Sequence, residues 1–268
     1  MGLDRGEDRM TASTRTVAVG DVQVRIMEAG QGSPLVFLHG AGGASWSPGL
    51  DLLSDRFHVY LPEHPGFGDT NRPEWLETVL DMAVYYLDWL AAMGLGQVTL
   101  VGQSLGGWIA AELSSLCNHG LARLALVDAA GLHIPGEQRV DMFTLSPEKL
   151  ARTLYHDPSL AEQALSQEPT PEIRRVQVRN RNMAARLGWN PYLCNPALEW
   201  RLRRISVPAL VMWGVQDALI PVSHAHLYAE AIPGAELALI EPCGHLPPVE
   251  QPEEFARLVT AFAEREGK

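Results

Sequence analysis

The stretch VTLVGQSLGGWIAAEL, residues 98–113, puts a serine where a run of buried-strand residues stops and a helix starts. Apolar and β-branched residues fill 98–101, Gly102 interrupts them, and helical spacing begins directly after Ser104. So sharp a reversal calls for glycine, which lets backbone segments approach where a Cβ would hold them apart. Gly102-Gln103-Ser104-Leu105-Gly106 fits G-x-S-x-G, a pattern that a chain this long matches by chance about one time in ten. Its place between strand and helix raises its weight, because a nucleophile held at the tip of a tight turn needs that setting. A serine capping a helix in an ordinary βα loop is the plainer alternative.

Working outward, TVAVGDVQVRIMEA reads as two short strands joined at Gly20-Asp21. The runs PLVFLHG, FHVYLPE, VTLVGQ, LALVDAA, ALVMWG and ELALIEP suit buried strands. Helical patterns lie between them at 78–93, 105–117, 222–231 and 252–265. This alternation predicts an α/β fold, with a mostly parallel sheet covered by helices on both faces. Between 132 and 197 only helices are predicted, begun at Ser146-Pro147, Asp157-Pro158, Thr170-Pro171 and Asn195-Pro196. Proline tolerates a first helical turn because its missing N–H would have no partner there. Residues 1–131 and 198–268 are thus expected to form the core, and 132–197 a helical cap over the carboxyl edge of the sheet.

The net charge of −11, from 32 acidic residues against 21 Lys and Arg, argues against a nucleic-acid partner. No apolar run is long enough to span a bilayer. The polar N-terminus MGLDRGEDRMTASTRT lacks the apolar segment of a secretory signal and the Ser or Thr of a myristoylation site. Cys117, Cys194 and Cys243 are scattered and odd in number, as expected of reduced thiols in a cytoplasmic protein.

A serine hydroxyl needs a base, and the base needs an orienting acid. On this scaffold they follow in the order acid, then histidine. Asp217 in VMWGVQDALIP and His245 in LIEPCGHLPPVE each follow a strand's carboxyl end, the edge where such sheets carry their sites. Asp128, ending LALVD, is the rival acid. His224 and His226 lie two apart on a helix and point away from each other, which disfavours metal ligation. His133 is expected at the surface. The loop HGAGG at 39–43 leaves backbone N–H groups open, so Ala41 or Gly42, together with Leu105, is expected to form an oxyanion hole. His39 is expected to hydrogen-bond within that loop.

With these residues assembled, the chain resembles the α/β-hydrolase superfamily nearly end to end. The resemblance is carried by HGAGG (39–43), PEHPGFGDT (62–70), GQSLGG (102–107), VPALVMWGVQDALIP (207–221) and CGHLPPVEQPEEF (243–255). It implies a Ser104–His245–Asp217 triad with no metal or organic cofactor. The middle segment is similar to the helical cap of carboxylesterases and of carbon–carbon hydrolases acting on aromatic ring-fission products. Serine at 104 departs from the aspartate of haloalkane dehalogenases and epoxide hydrolases. Gln103 and Leu246 stand where the carbon–carbon hydrolases typically carry Asn and Trp.

Substrate contacts are expected from Gln103, Trp108, Arg179 and Leu246. Arg175, Arg179, Asn182 and Arg186 share one helical face opposite an apolar stripe of Ile173, Val176, Met183 and Leu187. A solvated basic face is the plainer reading; turned inward, it would suit a carboxylate-bearing substrate. Trp189, Tyr192 and Trp213 are expected mainly in packing. The residues therefore favour a serine esterase acting on a small molecule, with carbon–carbon hydrolysis second. A non-enzymatic ligand receptor on the same scaffold ranks last.

Overall fold

A computed structural model describes residues 12–166 and 168–265. The N-terminal readings on secretion and myristoylation fall largely on residues 1–11, outside the described residues. The strands are β1 (Ser13–Val19), β2 (Val22–Ala29), β3 (Pro34–Leu38), β4 (His58–Pro62), β5 (Val98–Gln103), β6 (Leu121–Val127), β7 (Ala209–Gly214) and β8 (Glu236–Ile240). They form one sheet in the order β1-β2-β4-β3-β5-β6-β7-β8. β1 and β2 pair antiparallel through a hairpin at Gly20-Asp21, and β2 is antiparallel to β4. From β4 to β8 every pairing is parallel. The carboxyl ends of β3, β5, β7 and β8 therefore share one edge.

The apolar runs are continuous because both faces of the sheet are covered. Along β3, Leu35 and Phe37 face one core while Val36 and Leu38 face the other. One face packs α2 (Val79–Ala92), α3 (Leu105–Leu116) and α8 (Ser223–Ala231). The other packs α1 (Pro48–Ser54) and α10 (Pro252–Ala263). Thr78 begins α2 with a reciprocal cap: its hydroxyl accepts from Asp81 N–H, and the Asp81 carboxylate accepts from Thr78 N–H. β8 differs from expectation. As the last strand of the sheet among the described residues, it leaves Glu236, Leu237 and Leu239 exposed.

Between β6 and β7 lie α4 (Pro147–Leu154), α5 (Pro158–Leu165), α6 (Pro171–Gly188) and α7 (Leu198–Leu202). Ser146, Asp157 and Thr170 each cap the following helix with a side-chain oxygen. Asn195 does not. Its side chain accepts from Ala197 N–H in a turn ahead of α7. The two ends of the insertion are pinned together, since Gly131 N–H donates to Leu193 O and Asn195 N–H to Gly131 O. On α6 the apolar stripe is shifted: Ile173 is half exposed, and Asn180 is buried beside Met183, Ala184 and Leu187. The helices α1 and α9 (Pro247–Glu250) were not anticipated from periodicity, being too short to display it. Among the described residues no helix is long and apolar enough to cross a membrane. Cys194 and Cys243 are buried and Cys117 partly so, all as free thiols.

The glycines around Ser104 set the distance between α3 and the sheet. A Cβ on Gly106 would lie 2.0 Å from Leu38 O, and one on Gly102 would lie 2.4 Å from Gly106 O. Gly106→Ala is expected to cost about 1–3 kcal/mol through overpacking, read as a lowered urea midpoint and Tm. Gly96→Ala, where nothing lies within 4 Å, should stay within about 0.5 kcal/mol of the parent. Equal stability of the two variants would contradict the packing argument.

Candidate active site

Ser104 connects β5 to α3 with φ 54° and ψ −116°. A non-glycine residue held there stores about 1–3 kcal/mol of backbone strain, which its neighbours must offset. Its N–H donates to Val127 O, and its carbonyl accepts from Trp108 and Ala130 N–H. The turn is thus fixed on three sides, while Ser104 itself stays partly exposed in a buried stretch. Leu105 opens α3, where first-turn N–H groups have no helical partner and the helix dipole favours negative charge.

The structure brings His245 and Asp217 together. His245 Nδ1 lies 2.6 Å from Asp217 Oδ2, and both side chains are buried. Asp217 Oδ1 accepts from the N–H groups of Leu219 (2.8 Å) and Ile220 (2.9 Å), which hold the carboxylate in place. An imidazole so paired at Nδ1 keeps Nε2 as the atom able to take a proton. The backbone around it is committed as well. His245 N–H donates to Leu154 O at the end of α4 (2.8 Å). Glu250 accepts through Oε1 from Gly244 and Leu246 N–H, and through Oε2 from His156 and Asp157 N–H. One carboxylate thereby ties the histidine loop to the helical insertion.

Asp128, the rival acid, sits behind this pair. Its Oδ1 accepts from Gly214 N–H at 2.9 Å, while Oδ2 is buried without an assigned partner. One donor atom each from Asp128, Asp217 and His245 lies within 4.8 Å of the others. Burial first, and then the Asp217 charge, raise the Asp128 pKa well above the carboxylate range. A neutral Asp128 has an O–H to give Asp217, which leaves the imidazole contact to Asp217 alone.

The loop after β3 lies against the serine. A Cβ on Gly40 would come within 3.2 Å of Ser104 Cβ. His39 Nδ1 bonds Gly40 O (2.7 Å), its Nε2 accepts from His64 N–H (3.0 Å), and the two imidazoles stack with centroids 3.7 Å apart. Gly43 N–H donates to Gly40 O. Among the described residues the Ala41 and Gly42 N–H groups make no such bond.

The expected substrate contacts divide. Leu246 is half-buried beside His245. Gln103, expected to touch substrate, has its Nε2 donating to His245 O (3.1 Å), which joins the serine turn to the histidine loop. Trp108 is buried with Nε1 on Glu112 (3.2 Å), a carboxylate that also binds Asn195 and Arg201. Arg179 donates to the carbonyls of Gly66 (3.2 Å) and Thr70 (2.8 Å). Arg175 and Arg186 pair with Asp69 and Glu77. Trp213 is core, Tyr192 bonds within the insertion and Trp189 is exposed. His133 and His226 are exposed, whereas His224 is buried against Glu137. Sequence reading missed Asn180 and Glu250. A polar residue on the buried line of α6 was the available signal for Asn180. Glu250, in a four-residue helix, offered none.

Two outcomes follow from this geometry. Asp217→Asn is expected to lower kcat by about 10³–10⁴, whereas Asp128→Asn, whose amide still donates, should keep most of it; equal losses would make Asp128 the working acid. Burial lowers the His39 pKa from 6.5 to about 4 and pushes His64 down in the same direction. The unfolded chain therefore binds more protons below 6.5, so stability is full above that pH and falls as pH drops toward 4. The slope is at most about 1.4 kcal/mol per pH unit for each histidine. A urea midpoint that stays flat from pH about 7 to about 5 would refute it.

The profile of the alpha/beta hydrolase family matches residues 35–258. A 2-hydroxy-6-oxo-6-(2'-aminophenyl)hexa-2,4-dienoic acid hydrolase of Metapseudomonas resinovorans is 28% identical, covering 94% of this chain and 91% of its own. A 2-hydroxymuconate semialdehyde hydrolase of Pseudomonas putida is also 28% identical, covering 92% and 93%. The crystal structure of a bacterial membrane phospholipase A superposes with a TM-score of 0.78 at 27% identity, covering 94% of this chain and 85% of that one. With the profile extending from β3 into α10, the chain belongs to the alpha/beta hydrolase family.

Proposed function

We propose that this hydrolase cleaves carboxylic esters of small to medium, fairly apolar acids through an acyl-enzyme on Ser104. The observation that carries the reading is the 2.6 Å His245–Asp217 bond on a loop tied through Gln103 to the strained serine turn. Ser104 adds its oxygen to the ester carbonyl while its proton passes to His245 Nε2. Asp217 stabilises the imidazolium and holds its tautomer. The oxyanion meets the Leu105 N–H and that of Ala41 or Gly42. Collapse expels the alcohol with the proton from His245. Water then repeats the cycle and releases the acid. No step needs a metal or cofactor, and the helical insertion serves as a cap over the pocket.

Carbon–carbon hydrolysis of a ring-fission product is the second reading, favoured by the names of the two 28% identical relatives. Such a product carries a carboxylate, and the arginines of α6 are already paired with backbone carbonyls and acids. That arrangement supports the ester reading over this one.

Fluorophosphonate is expected to label Ser104, with p-nitrophenyl esters turned over at a kcat/KM at least about tenfold above that for dienoate ring-fission products, a gap of 1.4 kcal/mol in transition-state binding. A reversed ratio would establish the second reading. A folded protein that stays unlabelled and cleaves neither substrate would sink both.

A further inference from the structure

The insertion reaches the oxyanion loop through one buried amide. Asn180, on the inner line of α6, is 3% exposed. Its Nδ2 donates to Gly42 O and its Oδ1 accepts from Gly68 N–H, both at 2.8 Å. The fit is tight, because a Cβ on Gly43 would lie 2.3 Å from that Nδ2. Arg179, one residue earlier, anchors the same end of α6 to Gly66 and Thr70.

The consequence runs through peptide planes. The Gly42 carbonyl and the Gly43 N–H belong to one rigid peptide. Asn180 holds the carbonyl side, and the N–H side donates to Gly40 O. Gly40 O in turn shares its peptide with the Ala41 N–H and is also bonded by His39 Nδ1. Fixing the 42–43 peptide therefore fixes the directions of the N–H groups just before it. Gly42 and Gly43 have no side chains to do this, and Gly43 sits at φ 102°, where the backbone is at its most permissive.

We propose that Asn180 is a positioning residue contributed by the insertion: it clamps the oxyanion loop so that the Ala41 and Gly42 N–H groups face the carbonyl attacked by Ser104. The proposal rests on the acyl-enzyme reading above. It makes α6 part of the machinery that stabilises the transition state, besides covering the pocket.

Asn180→Asp, which keeps the shape but loses the donor, and Asn180→Ala test it together. Both should lower kcat by about 10–100-fold, less than or comparable to removing an oxyanion donor outright, with KM within about twofold. Affinity for a trifluoromethyl ketone, whose adduct places an oxyanion in the hole, should fall by the same factor as kcat/KM. Affinity for the product acid should hold. Amide hydrogen exchange should rise over residues 40–43 and stay unchanged in β5 and α3. An unchanged kcat, a loss confined to KM, or unaltered exchange at 40–43 in either folded variant would overturn the proposal. Failure of the acyl-enzyme reading shows separately, as wild-type protein that resists fluorophosphonate; the exchange measurement then still decides whether the clamp exists.

Discussion

The site depends on how closely the first turn of α3 lies against β3. At Gly106 the helix backbone passes where any side chain would strike the Leu38 carbonyl. That contact sets the angle at which α3 leaves the sheet, and with it the left-handed conformation of Ser104. In this conformation the Ser104 backbone stays bonded to β6 through Val127 O. The strain is tolerable because the surrounding bonds over-determine the turn.

Around this turn, buried polar groups do the joining that apolar packing cannot, since they specify orientation as well as proximity. Gln103 links the serine turn to the histidine loop. Glu250 links that loop to the chain after α4. Glu63 accepts from Asp69 and Thr70 N–H and from the Thr70 hydroxyl, shaping the loop against which Arg179 and Asn180 lie. Glu112, fully buried in α3, gathers Trp108, Asn195 and Arg201 at the far end of the insertion. Removing one partner from such a set strands a buried charge or dipole, which costs more than the bond itself contributes. The insertion is thus fastened at several points along the carboxyl edge.

The two acids near His245 illustrate how environment assigns roles. Asp217 receives two backbone N–H groups and the imidazole. Asp128 receives one N–H and is fully buried, and that burial, with the Asp217 charge beside it, pushes its pKa upward. Both end parallel strands and both looked plausible in the sequence. Their difference lies in the number of donors each finds.

Local pattern determined most of the fold. Runs of apolar residues long enough for a strand, glycines at Gly20 and Gly102, and Xxx-Pro caps at Ser146, Asp157 and Thr170 are short-range signals, and short-range sterics satisfy them directly. The serine, the histidine and the two candidate acids were legible for the same reason, each marking the end of a strand whose direction the alternation implies. Tertiary structure alone decided which acid meets the imidazole, that Gln103 and Arg179 bind backbone carbonyls, and that Asn180 binds the Gly42 carbonyl. These outcomes depend on contacts between residues that are far apart in the chain, such as the 138 positions separating Asn180 from Gly42. A polar side chain announces only that it needs partners, and folding selects which ones it finds.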